Sequence, residues 1–406
     1  MNDAVQVFPQ YIKLSNEFRL LVAASWMAPS EYSATQASTI KSICRACNID
    51  WDQFLILVDR HRIPALVYNS LQKNAADLVP EQTVKLLKER STRSRFQAMR
   101  DSSELAMLLK ILASNSIKVI PLKGVVLSQQ LFNDPCLRHL KDLDIMVCPE
   151  NIDATDQLLK KNGYVNIIPG IELAEDLKNY LHKNSHHFVY KNPSSGLIIE
   201  LHWRAGLWSA KQTRQLWEHS IDESWFGAPV IVMNPVYRLL YLCEHGAEHK
   251  WFRLKWLSDT AHLIGLLTDA ECKELLILAE ELDIKNGLAQ MLLLLNWLYG
   301  ITLPKPFLSL MQERGIYRSL AESALTGMLL NDEDVLGGGK PFVSIRRAFY
   351  IMQLKPNMPK RDVLRSLFVC EADMISVPLP PGLFFLYIPL RPILWLKRYF
   401  LARKQF

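Results

Sequence analysis

The strongest constraint in this sequence is a short segment, residues 142–147, in which acidic and apolar residues alternate. On a strand, successive side chains point to opposite faces, so Asp142 and Asp144 would share one face while Leu143 and Ile145 point into a core. Two carboxylates crowded on one face repel each other unless a cation lies between them. A hard divalent ion with oxygen ligands, such as Mg²⁺, meets that requirement. The segment therefore predicts a strand that carries a metal site.

A Lys-Gly pair precedes the acidic segment, at a predicted junction between a strand and a helix. Residues 117–122 form a short run rich in β-branched residues, and residues 125–132 are predicted to be helical. Gly124 allows close approach of the backbone, and the N-terminus of the following helix favours an anion. Lys123 and Arg138 could offset the charge of bound phosphates. The pattern predicts a phosphate site beside the acidic strand.

A third acidic residue interrupts a later apolar strand. Glu200 lies in the run Leu-Ile-Ile-Glu-Leu, where a charge is otherwise out of place. We expect it to complete a catalytic and metal-binding set with Asp142 and Asp144, either as a ligand of a second metal ion or as the acceptor of a proton. The alternative for Glu200 is a solvent-facing position on an edge strand.

The hydrophobic pattern divides the chain into three parts. Residues 1–100 have apolar positions at helical spacing, which predicts a helical N-terminal region. Residues 101–235 mix short strands with helices and are predicted to form an α/β core. Residues 236–406 return to a helical pattern, with one long helix predicted over residues 237–267, and end in an apolar and basic tail. The predicted fold class is α+β, a mixed sheet with helices that is flanked by helical regions on both sides.

The order of these motifs along the chain resembles that of a known family. The motifs are Lys123-Gly124, Arg138, the pair Asp142 and Asp144, and the run Glu200, Leu201, His202 and Trp203. The similarity continues further along the chain at His245, His249, Trp251, Leu254, Lys255, Trp256 and Asp259. The sequence resembles the uncharacterised nucleotidyltransferase family of the polymerase-β superfamily, from about residue 15 to about residue 270. It departs from the superfamily at one point, because the usual Gly-Ser turn is replaced by Lys-Gly.

The resemblance implies a minimal polymerase-β-like nucleotidyltransferase core. It also implies Mg²⁺ or Mn²⁺ as the cofactor and a nucleoside triphosphate as the co-substrate, with ATP as the expected triphosphate. The acceptor stays open among a small molecule, a peptide and a protein, and so does the preferred base. His249 and Lys255 are expected to lie beside the nucleotide site and to contact the phosphates or the acceptor.

Two other interpretations stay open. The hydroxyl that the Gly-Ser turn usually offers to a phosphate is absent, which favours a catalytically degenerate protein that binds a nucleotide and acts as a regulator. His245, Glu248 and His249 match the HxxEH order of inverted zinc peptidases. However, the sequence offers no third zinc ligand, and Gly246 weakens a helix at that point.

The composition bears on partners and location. The net charge of +6 suits an anionic substrate, but it is too small to mark a dedicated nucleic-acid binder, and no specific nucleic-acid partner is expected. Seven irregularly spaced cysteines argue against a disulfide framework. The first ten residues lack the basic start and apolar run of a signal peptide, which predicts a cytoplasmic protein.

The last thirty residues, 377–406, have an unusual composition. Residues 377–390 are uncharged and partly aromatic, and Arg391 then lies between two prolines in a segment that ends with basic residues. The run is too short and too broken for a transmembrane helix. We expect this tail to dock on the protein's own core, on a partner, or peripherally on a membrane surface.

Overall fold

The computed structural model describes residues 8–9, 12–167, 185–308, 310, 315–330, 341–368, 373–374, 377 and 379–402. Over these residues, helices surround one five-stranded sheet and one two-stranded hairpin. Strands and helices therefore occur together, in agreement with the predicted α+β class. The polymerase-β character of the core does not follow from this composition alone.

The described chain begins with a helical region. Its helices are α1 (Asn16–Ala24), α2 (Ser30–Ala46), α3 (Trp51–His61), α4 (Pro64–Ala75) and the long α5 (Glu81–Ser114). Their starts follow from local chemistry, because the Ser15 side chain accepts a hydrogen bond from Phe18 N and the Asp50 side chain accepts one from Gln53 N. Pro64 occupies the first position of α4, where its missing N–H costs nothing.

The five-stranded sheet forms the centre of the α/β part. Its strands are β1 (Ile120–Pro121), β2 (Leu143–Met146), β3 (Val165–Asn166), β4 (His187–Lys191) and β5 (Ile198–His202), and their order in the sheet is β1-β2-β5-β4-β3. β2 and β5 are parallel neighbours, and the other adjacent pairs are antiparallel. Helix α6 (Val125–Phe132) connects β1 to β2, and α7 (Ile152–Lys161) follows β2. The acidic strand β2 thus lies beside the second acidic strand β5.

A hairpin follows the sheet, and the sequence interpretation contained no strands there. Helix α8 (Ala210–Glu218) leads into β6 (Ser220–Trp225) and β7 (Ala228–Met233). The turn between them consists of Phe226 and Gly227, both at positive φ, as a two-residue turn of this kind requires. Most of β6 is polar and exposed, which hides the apolar signal by which strands are recognised.

The C-terminal part is helical again. Its helices are α9 (Pro235–Glu248), α10 (Leu254–Ile264), α11 (Asp269–Glu281), α12 (Lys285–Tyr299), α13 (Gly315–Leu329), α14 (Pro341–Leu354), α15 (Lys360–Phe368) and α16 (Tyr387–Ala402). Short 3₁₀ helices lie at Lys305–Phe307 and Pro381–Leu386, and another follows β2 at Pro149–Asn151. The single helix predicted over residues 237–267 was wrong. Two residues at its midpoint, Lys250 and Trp251, have positive φ, so the chain breaks into α9 and α10.

Two apolar clusters hold these elements together. The first joins the N-terminal helices to the C-terminal ones and includes Phe18, Leu240 and Leu292. The second lies between α5, the sheet and the tail, and it includes Leu105 and Ile145. Helix α5 contributes to both clusters. The proposed boundaries at residues 100 and 235 stay a prediction.

The tail packs partly on the protein itself. Tyr387 and Leu394 belong to the second apolar cluster, and the buried side chain of Arg391 pairs with Asp373. Phe385 and Ile393 are instead exposed, so contact with a partner or a membrane stays a prediction. Residues 403–406, with the last basic side chains of the tail, lie outside the described residues. Across the helices described above, none has both the length and the apolar character to cross a bilayer.

Candidate active site

The predicted acidic residues meet where β2 and β5 run side by side. Asp142 immediately precedes β2, and Asp144 lies within it, directly opposite Glu200 on β5. Asp144 is buried, whereas the side chain of Glu200 keeps about a quarter of its surface exposed, at 26%. Because β5 is an interior strand, the edge-strand alternative for Glu200 is wrong. The register thus gathers three carboxylates in one place, partly open to solvent.

Two basic side chains lie against the buried carboxylate. The Lys123 ammonium is 3.1 Å from Asp144 Oδ1, and His202 Nε2 is 3.3 Å from the same oxygen. His202 Nε2 is also 3.4 Å from Glu200 Oε2. Sequence reasoning had not assigned a site role to His202. The signal was present in the spacing, since residues 200 and 202 share one face of a strand.

Burial and neighbouring charges shift the pKa values of the two aspartates, Asp142 and Asp144, in opposite directions. Burial raises the pKa of Asp142, and the neighbouring carboxylates of Asp144 and Glu200 raise it further. Burial also acts to raise the pKa of Asp144, but Lys123 and His202 outweigh it and lower that pKa well below its usual range. Burial would lower the pKa of Lys123, yet Asp144 raises it above its usual value. At neutral pH the site thus contains an ionised Asp144 and a protonated Lys123.

Gly124 shapes the turn that carries Lys123. It has φ of +88° and immediately precedes α6. This backbone conformation strains any residue with a Cβ, and a Cβ would also contact Leu143 Cδ2 at 3.6 Å. The amide groups of the first turn of α6 therefore start close to the acidic strand, where an anionic substrate group could approach them.

Arg138 and Lys255 were predicted to contact phosphates, but both side chains already make polar contacts within the protein. Arg138 Nε donates a 2.9 Å hydrogen bond to Asp259 Oδ2, and both side chains are buried. Lys255 Nζ lies 3.5 Å from the His139 carbonyl oxygen. Burial and the positive charges of Arg138 and Arg62 lower the pKa of Lys255 well below its usual value. Lys123 and Lys255 both act to lower the pKa of Asp142, against the effect of burial.

His249 belongs to an aromatic group at the junction of α9 and α10. Its ring centroid is 4.8 Å from that of His245 and 5.4 Å from that of Trp256. His245 Nε2 lies 3.4 Å from Lys123 Nζ, so this group borders the acidic site. Glu248 points elsewhere and pairs with Arg347 at 2.8 Å.

The structure gives the zinc-peptidase interpretation no support. Two groups of described side chains are close enough to share a metal ion, namely Asp144, Glu200 and His202, and His186, His187 and His202. Neither group contains His245 or His249.

The carboxylate group fits a divalent cation. One atom each from Asp144, Glu200 and His202 lies within 4.8 Å of the others. Asp144 Oδ1 is buried, and its contacts with Lys123 Nζ at 3.1 Å and His202 Nε2 at 3.3 Å show that positive charge is favoured beside this oxygen. Carboxylate oxygens are the ligands that Mg²⁺ and Mn²⁺ prefer. Asp142 and Glu200 supply further carboxylate oxygens next to it.

Comparison with known proteins gives one match. The model of a family described as uncharacterised nucleotidyltransferase matches residues 48–300, which is more than half of the 406 residues. The matched range contains every residue of the acidic site and both basic side chains that face it. Comparisons with curated proteins and with solved structures gave no match.

Proposed function

Because the chain belongs to the uncharacterised nucleotidyltransferase family, we propose that it transfers a nucleoside monophosphate from a nucleoside triphosphate to an acceptor. Family membership supports nucleotidyl transfer in general. The proposal adds dependence on Mg²⁺ or Mn²⁺, a triphosphate donor such as ATP, and an acceptor that is a small molecule, a peptide or a protein. The observation that carries it is the register of β2 and β5, which places Asp144 opposite Glu200 beside Asp142.

Each side chain has a defined task in this proposal. Asp142, Asp144 and Glu200 hold the divalent ion, which supplies charge neutralisation and alignment of the phosphate oxygens when it is bound. Lys123 offsets negative charge on Asp144 and on the phosphates. The amide groups at the start of α6 follow Lys123 directly in the chain and favour an anion. His249 and Lys255 border the site from the C-terminal helices and are proposed to contact the phosphates or the acceptor.

The transfer itself is an in-line displacement at phosphorus. An acceptor hydroxyl forms a new bond to the α-phosphorus, and the bond to the bridging oxygen breaks to release pyrophosphate. Asp144 is buried, whereas Asp142 and Glu200 are both partly exposed, Glu200 with 26% of its side chain accessible. Glu200 is the carboxylate proposed to accept the proton of the attacking hydroxyl.

We also propose that the five-stranded sheet and α6 form a minimal polymerase-β-like core. Three features support this: a glycine-bearing turn that leads into a helix, a DxD segment at β2, and an acidic residue on the neighbouring strand β5. The site residues Lys123, Asp144 and Glu200 all come from these elements, so the proposed core and the proposed chemistry depend on the same geometry.

Pyrophosphate release from ATP with Mg²⁺ or Mn²⁺ tests the proposal, together with mass spectrometry of candidate acceptors. We expect Asp142→Asn to slow release by about 100-fold or more, because the metal loses a ligand while the fold keeps its buried Lys123–Asp144 pair. The matched control is Asp222→Asn, an exposed residue of β6. Turnover of Asp142→Asn equal to that of the control would overturn the assignment. Nucleotide binding without any transfer by the wild type would favour the degenerate, regulatory alternative.

A further inference from the structure

Three histidines form a second cluster directly behind the acidic site. His187 on β4 lies opposite His202 on β5, and His186 immediately precedes β4. The ring centroids of His187 and His202 are 5.0 Å apart, and those of His186 and His187 are 4.5 Å apart. One ring nitrogen from each of the three lies within 4.8 Å of the other two. The proposed transfer reaction makes no use of His186 or His187.

Two ring nitrogens of this cluster are buried and have no hydrogen-bond partner among the residues that the structure describes. They are Nδ1 of His187 and Nδ1 of His202, whereas His202 Nε2 lies 3.3 Å from Asp144 Oδ1 and 3.4 Å from Glu200 Oε2. His202 itself is 4% exposed. Buried polar atoms without partners are rare in folded proteins and call for an explanation.

The ligand type decides which ion fits. Imidazole nitrogens suit Zn²⁺ and its first-row neighbours, whereas Mg²⁺ takes oxygen ligands. Around a tetrahedral zinc ion, nitrogens at about 2.0–2.1 Å from the metal are roughly 3.4 Å apart. The three nitrogens lie within 4.8 Å of one another, so metal binding would draw the rings closer together. A fourth ligand position would stay open to water or to a substrate group.

We propose that His186, His187 and His202 form a binding site for a Zn²⁺-class transition-metal ion, separate from the carboxylate site for Mg²⁺ or Mn²⁺. Such an ion would join the first residue of β4 to the last residue of β5, next to Glu200. It would fix the orientation of His202, whose ring faces both groups of ligands. The inference concerns metal binding and does not depend on nucleotidyl transfer.

Titration of the metal-depleted full-length protein with Zn²⁺, in an excess of Mg²⁺, tests the site. Calorimetry should show one bound Zn²⁺ per chain, and the double variant His186→Asn/His187→Asn should bind it about tenfold or more weakly. His219→Asn is the matched control, because His219 is exposed and lies outside both groups of ligands. The Co²⁺-loaded wild type should also show the visible absorption of nitrogen-coordinated Co²⁺, a readout that needs no variant.

Several outcomes would overturn the inference. One is a wild type that binds no Zn²⁺ and gives no Co²⁺ spectrum. Another is a double variant that binds Zn²⁺ as tightly as His219→Asn. A third is Zn²⁺ binding that Glu200→Gln removes and the double variant keeps, since that would place the ion at the carboxylates. None of these results bears on pyrophosphate release, so the two proposals can fail separately.

Discussion

At the scale of single residues, Lys123 is the side chain on which the acidic site depends. Its ammonium lies 3.1 Å from the buried Asp144 carboxylate and 3.4 Å from His245 Nε2. The side chain is mostly buried, with 11% exposed, so water does little to solvate either charge. A buried ion pair of this kind costs much desolvation energy, and losing one partner leaves the other charge uncompensated.

We therefore expect Lys123→Met to lower the free energy of unfolding by about 3–5 kcal/mol in the absence of divalent ions. Added Mg²⁺ or Mn²⁺ should restore part of that loss, because a bound cation replaces the missing positive charge beside Asp144. Urea denaturation followed by circular dichroism, with and without the metal ion, measures both effects.

The control for that measurement is Lys160→Met. Lys160 pairs with Asp156 at 2.8 Å, but its side chain is 57% exposed, so we expect a change within about 1 kcal/mol. Equal free energies of unfolding for Lys123→Met and Lys160→Met would contradict the prediction, because the buried Asp144 carboxylate would then not depend on the Lys123 charge.

At the scale of elements, the break between α9 and α10 positions the aromatic border of the site. Gly246 lies inside α9, where glycine is normally unfavourable. A Cβ at this position would lie 2.4 Å from Trp251 Cζ3. Trp251 is fully buried, and its indole N–H donates a 3.0 Å hydrogen bond to Gln290 Oε1. The glycine is thus explained by the space that the Trp251 ring occupies.

This packing reverses the usual effect of a Gly→Ala change in a helix. Such a change typically stabilises by up to about 1 kcal/mol. We expect Gly246→Ala to destabilise the protein by about 1–3 kcal/mol instead, because the new methyl group displaces a buried ring. Thermal or urea denaturation gives the sign directly.

Gly315→Ala serves as the comparison, since Gly315 begins α13 and a Cβ there would meet none of the described residues within 4 Å. We expect a change within about 0.5 kcal/mol. A Gly246→Ala protein more stable than this control would mean that the Trp251 ring does not pack against α9 as described.

At the scale of the whole molecule, one buried ion pair connects the α/β part to the C-terminal helices. Arg138 lies in the loop before β2, and Asp259 lies in α10. Their side chains are 4% and 1% exposed. Burial raises the pKa of Asp259, although Arg138 acts against it. The pair thus ties the acidic strand to the helices that carry Lys255 and the aromatic border of the site.

We expect Arg138→Met to cost about 3–5 kcal/mol of unfolding free energy, because Asp259 is left buried and unpaired. The double variant Arg138→Met/Asp259→Leu should regain much of that loss, since both charges are then gone. A double-mutant cycle completed with Asp259→Leu measures the coupling. Additive losses of unfolding free energy would show that the two side chains act independently. The phosphate contact predicted for Arg138 from the sequence would then be the better explanation of this residue.

The sequence determined the features that depend on residues close together in the chain. Alternation over residues 142–147 predicted an acidic strand, which the structure has as Asp142 followed by β2. Apolar spacing predicted the helical character of the N-terminal region and of most of the C-terminal region. The family also followed from local motifs, because Lys123-Gly124, the two aspartates and Glu200 occur in a fixed order. Periodicity and motif order are read within short windows, so no tertiary contact is needed to see them.

Only the tertiary structure decided which of these residues meet. The pairing of Asp144 with Glu200 depends on the register of two strands that are more than fifty residues apart, and no local pattern fixes that register. The same holds for Arg138 and Asp259, and for the histidines that β4 and β5 bring together. The break at Lys250 was also missed, because helical spacing continues across it while Trp251 packs elsewhere. Pairing and packing between distant segments reflect the free energy of the whole fold, which a local pattern does not contain.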